Sequence, residues 1–159
     1  MTTASLKSSA PASYEHEGFG ETPVLGLGAL EPLQHKWEQA QAETLDGKAV
    51  QLSPRELGLW AGRFTAEELD ELVIPKRTLA RRRARHEALT VEETDKALRL
   101  ARISAEADRV FGDPEKSSRW LRKKSAALSG NTPLALLKSE TGARAVDDLL
   151  GQIDHGMFS

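Results

Sequence analysis

Between Lys76 and Arg85 the chain reads Lys-Arg-Thr-Leu-Ala-Arg-Arg-Arg-Ala-Arg, six cations in ten residues with no carboxylate among them. Guanidinium groups at this density suit polyanions, because they pair with phosphate oxygens and, bidentately, with guanine edges. Placed as the second helix of a helix-turn-helix, the segment presents Lys76, Arg77, Thr78 and Arg81 near its N-terminal half, where base edges are reached. Leu79 then faces inward, and Arg82, Arg83 and Arg85 become phosphate contacts. The alternative is a solvated basic face paired with the preceding acidic run of Glu67, Glu68, Asp70 and Glu71. One feature departs from common helix-turn-helix sequences: the turn falls near Val73-Ile74, without glycine, and a β-branched residue resists positive φ.

Other reactive side chains form no catalytic pattern. His16, His35, His86 and His155 lack ligand spacing, and no nucleophile elbow accompanies the scattered Ser, His and Asp residues. Asp147-Asp148 reads as a solvated or partner-contacting helix face rather than an acid pair. Gly18, Gly20, Gly26 and Gly28 do not make a nucleotide fingerprint, since no strand precedes them and no helix opens after them. Neither an enzyme nor a metal or cofactor site is expected.

The elements that carry these residues are helical throughout. Residues 1–30, rich in Ser, Ala, Pro and Gly, read as a flexible arm. A helix follows from Glu31 to about Leu45, with Leu33, Trp37 and Ala40 or Gln41 on one side and Asp46-Gly47 closing it. Three capping boxes come next, Ser53 with Glu56, Thr65 with Glu68 and Thr90 with Glu93, each a hydroxyl and a carboxylate three residues apart. Leu57, Trp60 and Ala61 give the first of these helices an inward face. The second runs to about Val73, with Leu69, Leu72 and Val73 as its apolar positions. The basic helix begins between Pro75 and Thr78. A long helix extends from about Val91 to Phe111, with Leu98, Ala101, Ile103, Ala105 and Val110 on its buried surface.

The last fifty residues repeat a single starting device. Asp113-Pro114 and Thr132-Pro133 each place a capping side chain before a proline at the first helical position, and Ser139 opens a final helix. In that helix Ala143, Val146, Leu149, Leu150 and Ile153 recur at helical spacing, and His155-Gly156 ends it. Trp120, Leu121, Leu128, Leu134, Leu137 and Leu150 are assigned to the core of this unit. Lys138, Arg144, Asp147, Asp148, Asp154, His155, Gly156, Met157 and Phe158 remain outside it.

Val110-Phe111-Gly112-Asp113, Trp120-Leu121, Ala127-Leu128-Ser129-Gly130-Asn131-Thr132-Pro133-Leu134 and Gly142-Ala143-Arg144-Ala145-Val146, in that order and spacing, resemble the toxin-binding domain of Xre/MbcA/ParS-type antitoxins. The resemblance continues upstream through Arg81-Arg82-Arg83 and Leu98-Arg99-Leu100-Ala101-Arg102, covering roughly the second half of the chain. It implies an all-α protein with an Xre-like helix-turn-helix region at 31–103 and a toxin-binding domain at 104–159. It further implies a type II antitoxin, neither an enzyme nor a cofactor carrier, working as a homodimer. The implied partner is a RES-domain toxin that consumes NAD, occluded by the nine outward residues from Lys138 to Phe158. Operator binding through Lys76 to Arg85 implies autorepression. Two alternatives stay open: a transcriptional regulator without a toxin, and a protein-binding module with a degenerate helix-turn-helix.

Composition agrees with this size and class. The 159 residues, 39% of them hydrophobic, suit one or two small helical units rather than a large catalytic fold. There is no cysteine, which removes disulfides and thiolate metal sites. No run of 18 apolar residues and no charged-then-apolar leader is present, so a cytoplasmic location is expected. The formal net charge of -2 conceals the local contrast between the acidic and basic helices.

Overall fold

Most helices in this chain start where a side chain meets the first free amides. The computed structural model describes residues 31–60 and 62–156, and among these every regular element is helical. The order is α1 Glu31–Leu45, α2 Pro54–Gly58, α3 Ala66–Leu72, α4 Lys76–Arg85, α5 Val91–Phe111, α6 Pro114–Arg122, a 3-10 turn Ala126–Leu128, α7 Pro133–Leu136 and α8 Glu140–Asp154. All three capping boxes form, at Ser53, Thr65 and Thr90. Asp113, Thr132 and Ser139 cap α6, α7 and α8. Gly112, at φ 61°, ends α5 in the left-handed conformation that glycine adopts without a Cβ penalty. The arm at 1–30, Ala61, Met157 and Phe158 lie outside the described residues, as does the side chain of Leu33.

The glycine-free turn between α3 and α4 needs no positive φ. Val73 sits at φ −124°, and the amides of Val73 and Ile74 both donate to the Leu69 carbonyl. Both side chains are buried, at 4% and 1% exposure, so the β-branched pair fills the angle between the helices instead of straining it. α4 lacks a side-chain cap of its own; its first amide, on Lys76, donates to the Asp70 carboxylate reaching across from α3.

α5 is the spine. It packs against α1, α3, α6 and α8, so it is buried on a wider front than one amphipathic stripe. Leu98, Ala101 and Ile103 are buried as their spacing predicts, but Ala105 and Val110 are only half-buried, while Thr94, Ala97, Leu100, Ser104 and Ala107 also point inward. The Thr94 hydroxyl accepts from the Leu52 amide at 3.1 Å, and the Leu89 amide donates to the Leu52 carbonyl at 2.8 Å, which fixes the entry to α2 beside the start of α5. In the C-terminal half Leu121, Leu128, Leu134, Leu137, Ala143, Val146, Leu149 and Leu150 close the core, while Trp120 is half-buried against Phe111, their ring centroids 5.4 Å apart. The buried side chains form one cluster from Ala40 to Leu150. The boundary at 103/104 therefore falls inside an unbroken helix at two fully buried residues, Ile103 and Ser104.

Candidate functional site

On α4 the six cations do different work. Leu79 faces inward, and Arg82, three positions on, shares that face. Its guanidinium donates to Glu93 and to the Ala88 carbonyl and lies 3.7 Å from Glu87. The structure thus differs from the sequence reading at Arg82: it anchors α4 to the cap of α5 and is not an outward phosphate contact. Burial pushes the Glu93 carboxyl up, but the Thr90 amide and Arg82 outweigh it and hold the group below its ordinary value. Lys76 is exposed and paired with Glu67 at 2.6 Å, an ion pair that raises the ammonium and lowers the carboxyl. Thr78 is half-buried. Arg77, Arg81 and Arg83 are exposed and have no side-chain partner among the described residues, and Arg85 has only Glu87 at 3.8 Å. The free face of the helix is accordingly Arg77, Arg81 and Arg85; Arg83, four positions beyond Leu79, is exposed on the flank turned toward α2.

Among the outward residues of the second half, three are held by ion pairs to other helices. Arg99, Arg102 and Arg109 of α5 meet Glu140, Asp147 and Asp154 of α8 at 3.0, 2.7 and 2.8 Å. The acids are seven residues apart, two turns of helix, and residue numbers rise together on both sides, so α5 and α8 run in the same direction joined by three rungs. Hydrogen bonds from Arg99 and Arg109 hold Glu140 and Asp154 below their ordinary values. Asp147 and Asp154, read from the sequence as outward contacts, are held by these rungs, although each remains about one-third exposed. Lys138, the third, is paired with Glu71 of α3. Arg144, Asp148 and His155 are exposed along one side of α8; Arg144 has only a long pair to Glu140, at 3.7 Å, and Asp148 has no partner among the described residues. The Asp147 and Asp148 carboxylates serve different faces and do not form an acid pair. Gly156 closes the helix at φ 68°.

No local pattern in the sequence marks the bond between the two halves. Arg63, in the loop before α3, has a side chain only 4% exposed; it donates to Asp108 of α5 at 2.6 Å and to the Pro114 carbonyl and the Ser117 hydroxyl of α6 at 2.8 Å. Ser117 also donates to Asp108. Burial lowers the guanidinium's affinity for its proton, and Asp108 opposes that. Beside this network Arg122 of α6 grips Glu68 of α3 with two bonds, 2.7 and 2.8 Å, and donates to the Arg63 carbonyl. The partners of Arg63 and Arg122 named here lie 45 to 59 residues away in sequence, beyond the reach of any cap or helical spacing.

A helix-turn-helix with an exposed cationic face is fused through a shared helix to a second small helical unit, which places the chain in the class of all-helical two-unit proteins. Residues 61–102 match the antitoxin Xre-like helix-turn-helix domain, and residues 106–156 match the antitoxin Xre/MbcA/ParS C-terminal toxin-binding domain. An Antitoxin Xre of Yersinia enterocolitica is 39% identical over 102 residues, covering 64% of this chain and 69% of its own length. An Antitoxin Xre of Pseudomonas putida is 42% identical over 95 residues, covering 60% of this chain and 59% of its own length, so the chain spans about three fifths of that relative. A Prs ADP-ribosylating antitoxin of a Sphingobium species is 32% identical over 99 residues, covering 57% of this chain and 62% of its own length. The chain belongs to the Xre family of antitoxins, whose named members are antitoxins and not enzymes. Among the described residues no helix is long and apolar enough to cross a membrane.

Proposed function

We propose that this protein is the antitoxin of a type II pair, that its C-terminal unit covers the active site of a RES-domain toxin consuming NAD, and that α4 binds operator DNA to repress its own operon as a homodimer. The observation that carries the toxin-binding half is the match of residues 106–156, which coincides with the end of α5 through α8 and stops where Gly156 closes the last helix. Arg144, Asp148 and His155 on the open side of α8, with Met157 and Phe158 following it in sequence, are the contacts of choice. An apolar Phe158 suits a pocket, and partially exposed Asp154 suits cations that otherwise meet NAD phosphates. Asp147 and Lys138 support the fold first and the partner second. For DNA, the exposed Arg77 and Arg81 are our candidates for base edges, with Lys76 and Thr78 beside them.

Co-purification with the native partner, followed by separation and an assay of NAD loss, tests the reading. A partner that destroys NAD only when this chain is removed supports it; a partner inert toward NAD overturns it. Deleting Met157 to Ser159 is expected to weaken neutralisation while far-UV circular dichroism and operator binding stay unchanged. Full neutralisation by the truncated chain removes occlusion by the terminal residues. The relative named for Prs ADP-ribosylation favours a second reading of the toxin chemistry, in which ADP-ribose passes to a protein instead of to water. Mass analysis of the products separates these, as free ADP-ribose in one case and a modified protein in the other.

A further inference from the structure

α2 and the end of α4 enclose an open cleft of about 550 Å³ whose walls include Arg55, Gly58, Arg82, Arg83, His86 and Glu87. Arg55 and Arg83 have no side-chain partner among the described residues, and both are exposed. The Arg83 guanidinium lies over α2 at Gly58: a Cβ at position 58 would meet Arg83 Nη2 at 3.5 Å, ordinary van der Waals contact. The negative groups on this wall are already satisfied. Glu87 is shared between Arg82 at 3.7 Å and Arg85 at 3.8 Å. The carbonyls of Arg82 and Arg83 at the end of α4 accept the amides of Glu87 and His86. What remains unsatisfied is cationic, with the His86 imidazole beside it, exposed at the left-handed residue that turns the chain away from α4.

We infer that this cleft is a phosphate clamp, with Arg55 and Arg83 closing on one phosphate oxyanion from two helices. The chemistry is that of charge-assisted N–H···O bonds to a tetrahedral anion, which two guanidinium groups, one from α2 and one from α4, bind without reading a base. A DNA phosphodiester is the favoured source, because Arg83 belongs to the helix that carries Arg77 and Arg81 and lies on its flank toward α2, where backbone rather than base edges would be met. The inference rests on the DNA-binding reading of α4 and adds a residue, Arg55, that lies outside the helix-turn-helix. Its role is register: a fixed grip on the backbone sets where Arg77 and Arg81 meet the groove, while Arg82 holds the wall of the clamp in place through Glu93.

The test is fluorescence anisotropy of the full chain with two labelled duplexes, one from the region upstream of its own operon and one scrambled, between about 50 and 200 mM salt. The variant Arg55→Gln with Arg83→Gln is expected to bind both duplexes more weakly by the same factor, with a salt slope shallower by about 2, since two guanidinium charges no longer displace counterions from the backbone. Arg77→Gln with Arg81→Gln is expected to lose the preference between duplexes. Lys123→Gln with Lys124→Gln, which removes two exposed cations from the C-terminal half, controls for net charge. Because Arg55 and Arg83 are exposed and unpartnered, the variant should keep the wild-type melting curve. If wild type binds the operator and the Arg55/Arg83 variant matches it in affinity and slope, the clamp is overturned and the DNA reading stands. If wild type binds neither duplex, the DNA reading falls, and titration with sodium tripolyphosphate decides the clamp. Amide NMR shifts at Gly58, Arg83 and His86 that vanish in the variant keep it as a site for free phosphate; no shifts overturn it.

Discussion

Glycine at 142 is demanded by contact and not by backbone angle. An added Cβ would stand well inside 3.0 Å of the Leu136 carbonyl, a backbone atom that cannot swing aside, because the first turn of α8 leans on the end of α7. Gly142→Ala is therefore expected to lower stability by about 1–3 kcal/mol, the cost of overpacking, read as a shift in the urea midpoint. Gly112→Ala has open space around it and should cost about 1–2 kcal/mol through its left-handed φ alone. Arg63 presents the opposite case, a charge that is safe only with its partner. Arg63→Ala leaves the Asp108 carboxylate, 11% exposed, without its cation and is expected to cost about 3–5 kcal/mol. Replacing Arg63 by Met together with Asp108 by Leu should recover much of that loss, since no charge is then stranded. Equal stability of Arg63→Ala and the double variant would contradict this account.

At the level of elements, the rungs between α5 and α8 make an acid-sensitive seam. Glu140 and Asp154 are held below their ordinary values of 4.5 and 3.8, so each favours the folded state above those values. That contribution is lost as pH falls through the lower, folded values. Glu140→Gln with Asp154→Asn should be less stable than wild type at pH 7, show a flatter acid limb, and match wild type once pH has fallen through both folded values. The effect is modest because these side chains are partly exposed and salt screens them. Identical pH profiles for the two proteins would exclude the seam. The helix starts were legible in the sequence because a cap and its target lie within three residues, as at Ser53, Thr65, Thr90 and Asp113. The rungs were not, because each joins residues more than 40 apart, although acids at 140, 147 and 154 form a stripe that periodicity alone could have raised. The turn at Val73-Ile74 shows the limit of a local rule: burial of both side chains replaces the expected glycine. Within the candidate site the basic run was plain, and Arg82 could have been withdrawn from it by noting that it shares the face of Leu79. The grip of Arg63 on α6 had no local signal.

For the whole molecule, two matched units rest on one core. The matches at 61–102 and 106–156 meet inside α5, and the Arg63, Arg122 and Lys138 contacts bind the second unit to the loop before α3 and to α3 itself. Unfolding should accordingly be a single cooperative step, with tryptophan fluorescence and far-UV circular dichroism giving coincident curves; two separated transitions would show independent domains. The shared spine also bears on inheritance. A lineage that trades toxin specificity by recombination at the apparent seam, near residue 104, would join halves of two different α5 helices and mismatch their rungs and their buried alanines. Viable hybrids should carry α5 and α8 from the same parent, with the crossover before Val91 and the Arg63 and Glu68 contacts matched to α6, so the unit matching the toxin-binding domain and the footing of α4 travel as one inherited block.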